Sequence, residues 1–501
     1  METSFDLNAP LFVFSSDQGK TPFTVGDACE GISIMGGTGS GKSSGSGAFL
    51  ARKFLSAGWG GVVLTVKPTE KDFWVNVCKQ TGRTDDLLTI EPGCKYVFNF
   101  LDYEASRNEG SYTRNIVKLL KTVIQSANEK ENGISDQGFW EKALDMLLFN
   151  VIELCLLAYG KLTVRDMYDL VISAPQKGRR KAPGEGPNSF DRAFKLALQN
   201  VSAQVDAWKI ILSPQEQELI RKDPDHGERM TTDQVRAAAR LKFVDQFFSE
   251  TYRDLADKTR SIVFFSCSSF LSSLLQEPIH SLFCRHASTY TPEDCFKAKK
   301  VILLHLPVKL YYDAGRDIQC LFKLIFQRTA ERRNAEQEDR PLFLFQDEAQ
   351  FFLMETDPLF QATARSSRVC SVYITQNLSS YYSAMGGDSF RSQHKVKVLL
   401  GTLAAKFFHA NADNDGTNKY ASDLIGQGYT EDTSRDSSFS DSFSIGRSSS
   451  WVLEPIIRPE YFNYLRTGGP QHNFLVDAYV HRQGRTFANG LNFKKITFHQ
   501  F

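Results

Sequence analysis

Eight residues constrain this chain more than any others. Gly36-Gly37-Thr38-Gly39-Ser40-Gly41-Lys42-Ser43 fits the pattern G-x-x-x-x-G-K-[ST]. Its glycines let successive backbone N–H groups curl around phosphate oxygens without Cβ clashes, while the lysine reaches the β- and γ-phosphates and the serine ligates Mg²⁺. The bland alternative is a flexible Gly/Ser turn. Context weighs against it, because the apolar run Gly31–Met35 reads as a buried strand and Lys42–Ser56 as a helix. A strand, a glycine turn and a helix in that order are what the phosphate cradle requires. The sequence therefore predicts ATP and Mg²⁺ as cofactors, held by Gly36 to Ser43 with Ser44 beside them.

Beyond this turn the first hundred residues keep alternating. Gly61–Val66 reads as a second buried strand, Thr69–Lys79 as a helix with Thr69 at its N-cap, and Leu87–Ile90 as a third strand. Strands alternating with helices predict a parallel α/β sheet. From about residue 105 the period changes: Tyr112–Ala127, Phe139–Tyr159, Phe190–Ile211, Pro214–Arg221 and Thr232–Thr259 read as helices, with Phe139 and Trp140 as core anchors. Strand signals return at Val301–Leu306, Leu342–Phe345, Ser371–Thr375, Lys406–His409 and Phe474–Ala478, with the helix Asp313–Asn334 between two of them. The expected organisation is a nucleotide-binding domain in two parts, residues 1–104 and 261–501, interrupted by an all-α insertion over 105–260. The serine-dominated stretch at about 430–450 reads as a mobile surface loop.

A phosphate cradle needs acids to complete it. Pro341-Leu342-Phe343-Leu344-Phe345-Gln346-Asp347-Glu348 ends a buried strand on two adjacent carboxylates. Asp347 suits the Mg²⁺ side and Glu348 the base that polarises the attacking water; the alternative is a pair that caps the following helix. Gln376, at the end of the strand Ser371–Thr375, suits a sensor of the γ-phosphate or the lytic water. Arg365 or Arg368 suits an arginine finger toward a neighbouring subunit's nucleotide, or else both are solvated surface residues. Lys67, just after the second strand, borders the nucleotide or a pore, or is a plain exposed lysine. The basic run Lys177, Arg179, Arg180 and Lys181 meets DNA phosphates or is a solvated loop.

Composition narrows the classes. The chain has 501 residues, long enough for two or three domains. Lys+Arg 59 against Asp+Glu 58 leaves a formal charge of +1. A globally basic nucleic-acid binder is excluded, so any nucleic-acid contact comes from a local patch or pore. The nine cysteines form no CxxC pair and read as reduced buried thiols, and the nine histidines have no metal-binding spacing. No apolar run reaches the ~20 residues of a membrane span.

Taken in order, GGTGSGKSS, VVLTVKPTEKD, FWEKALDMLL, VILLHLP, LFLFQDEAQFF, ARSSRVCSVYITQN and NDGTNKYASDLIG resemble the TraG/TraD-like type IV secretion coupling proteins, of the FtsK–HerA class of P-loop ATPases. The resemblance covers about residues 25–480. It implies a RecA-like nucleotide-binding domain with an all-α insertion and assembly as a ring, commonly a hexamer. It further implies coupling of ATP hydrolysis to transfer of DNA, with single-stranded DNA favoured, or of protein substrates. By similarity Lys42 and Ser43 are P-loop contacts, Asp347 and Glu348 the two acids, Gln376 the glutamine after the next strand and Arg365 the arginine finger. Coupling proteins begin with transmembrane helices, whereas the P-loop here starts 35 residues in. The expectation is accordingly a soluble, cytoplasmic member recruited by a membrane-anchored, secretion-system or antiphage-defence partner. The alternative function is an ATP-dependent recruitment platform or switch that binds a protein partner without moving DNA.

Overall fold

Short apolar runs far apart in sequence become the parallel centre of a nine-stranded sheet. The computed structural model describes residues 5–17, 19–107, 112–128, 137–176, 186–439 and 443–500. In chain order its strands are β1 (Pro10–Ser16), β2 (Gly19–Thr24), β3 (Ile32–Met35), β4 (Gly60–Leu64), β5 (Leu87–Ile90), β6 (Val301–Leu304), β7 (Leu342–Gln346), β8 (Val369–Thr375), β9 (Ala405–Phe408), β10 (Gln427–Phe439), β11 (Phe443–Pro455), β12 (Leu475–Arg482) and β13 (Phe493–His499). The large sheet has the order β13-β12-β9-β3-β8-β7-β4-β6-β5. Pairing is parallel from β9 through β6, and antiparallel where β12 joins β9 and β13. Strands β3, β4, β6, β7, β8 and β9 are buried along their whole length. That explains why they read as mostly apolar runs without alternation, with Ser33, Ser371 and Lys406 among the buried polar exceptions.

Register levels the strand ends. Met35 pairs with Thr375 and with Phe408, Gln346 with Tyr373, and Leu64 with Gln346. The loops that leave β3, β8, β7, β4 and β9 consequently emerge together at the carboxyl edge, where open α/β sheets bind their ligands. Beneath them an aromatic column fixes the sheet: Trp59 stacks on Phe54 at 4.8 Å, Phe54 on Phe343 at 5.6 Å and Phe343 on Trp74 at 5.7 Å. Each such ring buries a large apolar area and adds a specific geometry.

Compactness divides the chain into one unit of residues 1–88, 292–305 and 326–501 and another of 89–291 and 306–325. The expected boundaries at 104/105 and 260/261 therefore differ from the observed ones. The second of these falls inside the helix Asp257–Leu274, whose Val263, Cys267, Phe270, Leu271 and Leu274 keep it buried within its own unit. In the second unit the helix Gln137–Tyr159 is central. Leu144, Leu147, Leu148, Val151, Ile152 and Leu154 are all fully buried, and the helices Tyr112–Asn128, Ser189–Ile210, Arg236–Gln246 and Asp257–Leu274 pack on it. A helix apolar on several faces is a core helix. Trp140 is buried there as expected, while nothing is described of the Phe139 side chain.

The serine-rich stretch is not a loop. β10 and β11 form a two-stranded antiparallel ladder running from Gln427↔Pro455 to Phe439↔Phe443. The pairing is carried by the backbone, which is why a stretch with few aliphatic residues gave no strand signal. The helix expected over Thr232–Thr259 is broken into Pro224–Gln234, Arg236–Gln246 and a π-helical turn Phe247–Thr251. The basic run Lys177–Lys181 lies outside the described residues. Among the described residues no single helix is long and apolar enough to cross a membrane.

Candidate active site

Immediately after β3 the glycine-rich turn folds back over the sheet edge. Gly41 has φ 78°, and a Cβ there would lie 2.6 Å from Val476 Cγ2, so only glycine closes the turn. The amides of Gly37 and Ser40 are bonded to Ala410 O and Gly37 O. Those of Thr38, Gly39, Gly41 and Lys42 meet no acceptor among the described residues. Backbone amides left without acceptors in one concave turn are the donor set that a phosphate group fits. The expected helix from Lys42 opens as a π-helical turn, Ser43–Gly47, before the α-helix Ala48–Ser56 begins. Gly47 N–H donates to Lys42 O at 2.9 Å, a wide first turn of the kind found at functional sites. Deeper in, His409 Nδ1 lies 2.9 Å from Asp477 O, so it must carry the proton, and Nε2 then accepts from Ser46 Oγ at 2.7 Å. Burial pushes this imidazole down to about 4.

The acids arrive from β7. Ser43 Oγ donates to Asp347 Oδ2 at 2.8 Å, bringing together two residues 304 positions apart. The pair suits Mg²⁺, which keeps several waters and takes few protein oxygens. Burial holds the Asp347 carboxyl above the usual carboxylate range, against the Lys67 charge and the Ser43 hydrogen bond. Lys42 is buried, and desolvation lowers its ammonium while Glu348 and Asp347 pull it up. That balance suits a cation waiting for phosphate.

Glu348 adopts φ 52° and ψ 51°, a left-handed conformation that costs a non-glycine residue about 1 kcal/mol or more. Its side chain caps nothing, so the helix-capping alternative fails for it. Its Oε2 accepts from Gln350 Nε2 at 2.9 Å and its Oε1 from Lys67 Nζ at 3.0 Å. Burial alone would raise this carboxyl; the bonds from Gln350 and Lys67 and the charges of Lys67 and Lys42 hold it below its ordinary value. Gln376 Nε2 reaches both oxygens at 3.3 and 3.4 Å, and its Oε1 accepts from Thr38 Oγ1 at 3.3 Å. Gln376 thus bridges the P-loop and the candidate base, and Asn411 Nδ2 holds its carbonyl at 2.8 Å.

Arg365 is not brought to this site. It precedes β8, at the opposite edge of the sheet from Gln376, and pairs with Glu30 at 3.1 Å with 56% of its side chain exposed. Arg368 is committed to the chain itself, donating to Phe5 O and Asp339 O. Sequence reasoning passed over Glu70, Gln350, His409 and Asn411. Thr69 stands at the N-cap without a side-chain bond; Glu70 instead accepts from the amides of Val66 at 3.0 Å and Lys67 at 3.2 Å. Burial, then the Asp347 charge, pushes Glu70 up to about 8.

Comparison with known proteins bears on the fold. Residues 341–466 match the family model described as the TraM recognition site of TraD and TraG. No curated protein matches the chain by sequence. Among solved structures it is similar to the bacterial conjugative coupling protein TrwBdeltaN70 in complex with sulphate, with TM-score 0.59 and 13% identity, covering 96% of this chain and 88% of that one. It is similar also to the plasmid coupling protein TrwB in complex with a non-hydrolysable ATP analogue, with TM-score 0.58, 13% identity and coverage of 96% and 87%. The form of TrwB with ADP and Mg²⁺ gives TM-score 0.55, 13% identity and coverage of 96% and 88%.

Proposed function

We propose the chemistry of this chain from two findings, a family model of TraD and TraG that matches residues 341–466 and a fold similar to that of the coupling protein TrwB over 96% of its length. We propose that it hydrolyses ATP with Mg²⁺ as a ring-forming motor that transfers DNA. The observation that supports the reading is the 2.8 Å bond from Ser43 of the glycine-rich turn to Asp347, two residues 304 positions apart in the chain. Gly36 to Ser44 bind the phosphates, with Lys42 the cation among them. Ser43 and Asp347 would hold Mg²⁺, which when bound would neutralise developing charge on the phosphate oxygens. Glu348 takes the proton of the attacking water, and Gln376 orients that water against the P-loop. Arg365, exposed at the far edge of the sheet, is directed at the nucleotide of a neighbouring subunit in the ring, commonly a hexamer.

The DNA assignment rests on TrwB, whose structures are described as those of a conjugative coupling protein. Its test is ATP turnover by the full chain with and without single-stranded DNA at low salt. DNA should stimulate turnover, and rising salt should abolish the stimulation steeply, since phosphate contacts release counterions. Equal rates with and without DNA would remove the motor. A second reading, recruitment of a protein partner, is favoured by the TraM-recognition match. A pull-down that recovers the same partner with wild type and with Lys42→Ala would support recruitment that does not need nucleotide.

A further inference from the structure

Lys67 was open between nucleotide neighbour and plain surface lysine, and its surroundings decide for the first. β4 is bonded to β7 in register, Leu64 against Gln346, so the loop leaving β4 runs beside Asp347 and Glu348. The turn is tied down at its backbone. The two carboxylate oxygens of Glu70 accept one amide each, from Val66 and Lys67, which sets the direction in which Lys67 leaves the chain. Its ammonium ends 3.0 Å from Glu348 Oε1, with 44% of its side chain exposed against 6% for Glu348. In this pair the acid is fixed and the cation can move.

The partner it holds is already crowded. A carboxylate offers about four lone-pair positions. Those of Glu348 receive Lys67, Gln350 and Gln376, the last within hydrogen-bond reach of both oxygens. A base so engaged has little room for an attacking water. Of its three donors, two are tied to the cradle: Gln376, bonded to Thr38 of the P-loop, and Lys67, whose charge acts on Lys42 and on Asp347. Gln350 is held at its other end, its Oε1 accepting from Thr375 Oγ1 at 3.0 Å.

We propose that Lys67 is an exchangeable γ-phosphate ligand, which leaves Glu348 for the terminal phosphate of a bound triphosphate and returns to Glu348 when only a diphosphate remains. Lys42 and Lys67 then divide the work. Lys42 is buried and grips phosphate in either nucleotide, whereas Lys67 counts the third phosphate and, by moving, opens Glu348 to water. Glu70 is a positioning residue: it touches no nucleotide and acts by aiming Lys67. No bond is made or broken in this exchange; an ammonium trades one anionic oxygen for another.

The inference rests on the ATP-site reading given above, and binding measurements separate the two. Affinities of the full-length protein for ADP and for a non-hydrolysable ATP analogue, each with Mg²⁺, are measured by calorimetry for wild type, Lys67→Ala, Lys67→Arg and Glu70→Gln. In Lys67→Ala the preference for the analogue over ADP should fall about tenfold, the worth of one charge-assisted hydrogen bond, with ADP affinity little changed. Lys67→Arg should restore much of the preference, and Glu70→Gln should lose part of it. An unchanged ratio in Lys67→Ala, with ADP still bound, would overturn the role of Lys67 and leave the ATP site standing. Equal weakening toward both nucleotides would overturn it too, as a merely structural effect. A wild-type protein that binds neither nucleotide would overturn both readings.

Discussion

At the scale of single residues, the pocket is organised by which groups are kept charged and which neutral. Lys42 is a buried cation whose charge is favoured by Glu348 and Asp347, so phosphate is its natural completion. Lys42→Ala should weaken nucleotide binding more than about tenfold while leaving the fold intact, read by calorimetry beside circular dichroism. His409 is the opposite case, buried and neutral between Ser46 and Asp477. Its folded value of about 4 lies below the ordinary 6.5. The unfolded chain therefore takes up a proton first as pH falls, and stability drops between pH 6.5 and about 4, by roughly 1.4 kcal/mol per decade of proton concentration. Glu70 runs the other way, since its raised value of about 8 removes stability as pH rises from the ordinary 4.5 through 8. The two slopes overlap and oppose each other, so the diagnostic quantity is a difference. Denaturant titrations of His409→Gln should show a flatter loss below pH 6.5 than wild type; identical slopes would refute the buried neutral imidazole.

At the scale of elements, what could be read from the sequence followed the burial of each strand. β3, β4, β6, β7, β8 and β9 are mostly apolar runs because both faces of the sheet are covered, and all were legible. β13 buries only Phe493 and Phe498 and is mostly charged and polar between them, and β2 contains a proline, so neither gave a comparable signal. The ladder β10–β11 gave no strand signal because its serine-rich sequence carries few aliphatic residues. The P-loop and the acid pair were legible since each is a contiguous motif. Glu70 and Gln350 were not, because their meaning comes from β4, β7 and β8 lying side by side, which spacing along the chain does not encode. Two glycines separate strain from crowding. Gly39 and Gly41 have φ 75° and 78°, but a Cβ on Gly39 would meet nothing within 4 Å, while one on Gly41 would strike Val476. Both alanine variants pay about 1 kcal/mol for the left-handed backbone, and Gly41→Ala should lose clearly more in thermal unfolding. Equal losses would mean that the turn yields to the extra carbon.

For the whole molecule, the placement of Arg365 argues for assembly. It stands at the strand edge opposite the P-loop, with Glu30 as its partner and more than half of its side chain exposed. One chain therefore holds the cradle, the acids and the glutamine at one edge, and an exposed arginine paired with Glu30 at the other. In a ring the second edge of each subunit meets the first edge of the next. Arg365→Ala and Glu348→Gln should each lose ATP turnover alone and recover part of it when mixed, because mixed rings contain interfaces with both groups intact. No recovery on mixing, with assembly confirmed by native mass measurement, would place the arginine outside the reaction. The claim beneath all of this is that ATP is cut where Ser43 meets Asp347, by water activated at Glu348. Single-turnover hydrolysis of Mg²⁺-ATP by Glu348→Gln beside wild type tests it most directly. The variant should bind ATP as wild type does and cleave it ~10²- to 10⁴-fold more slowly, whereas cleavage at the wild-type rate would contradict the account.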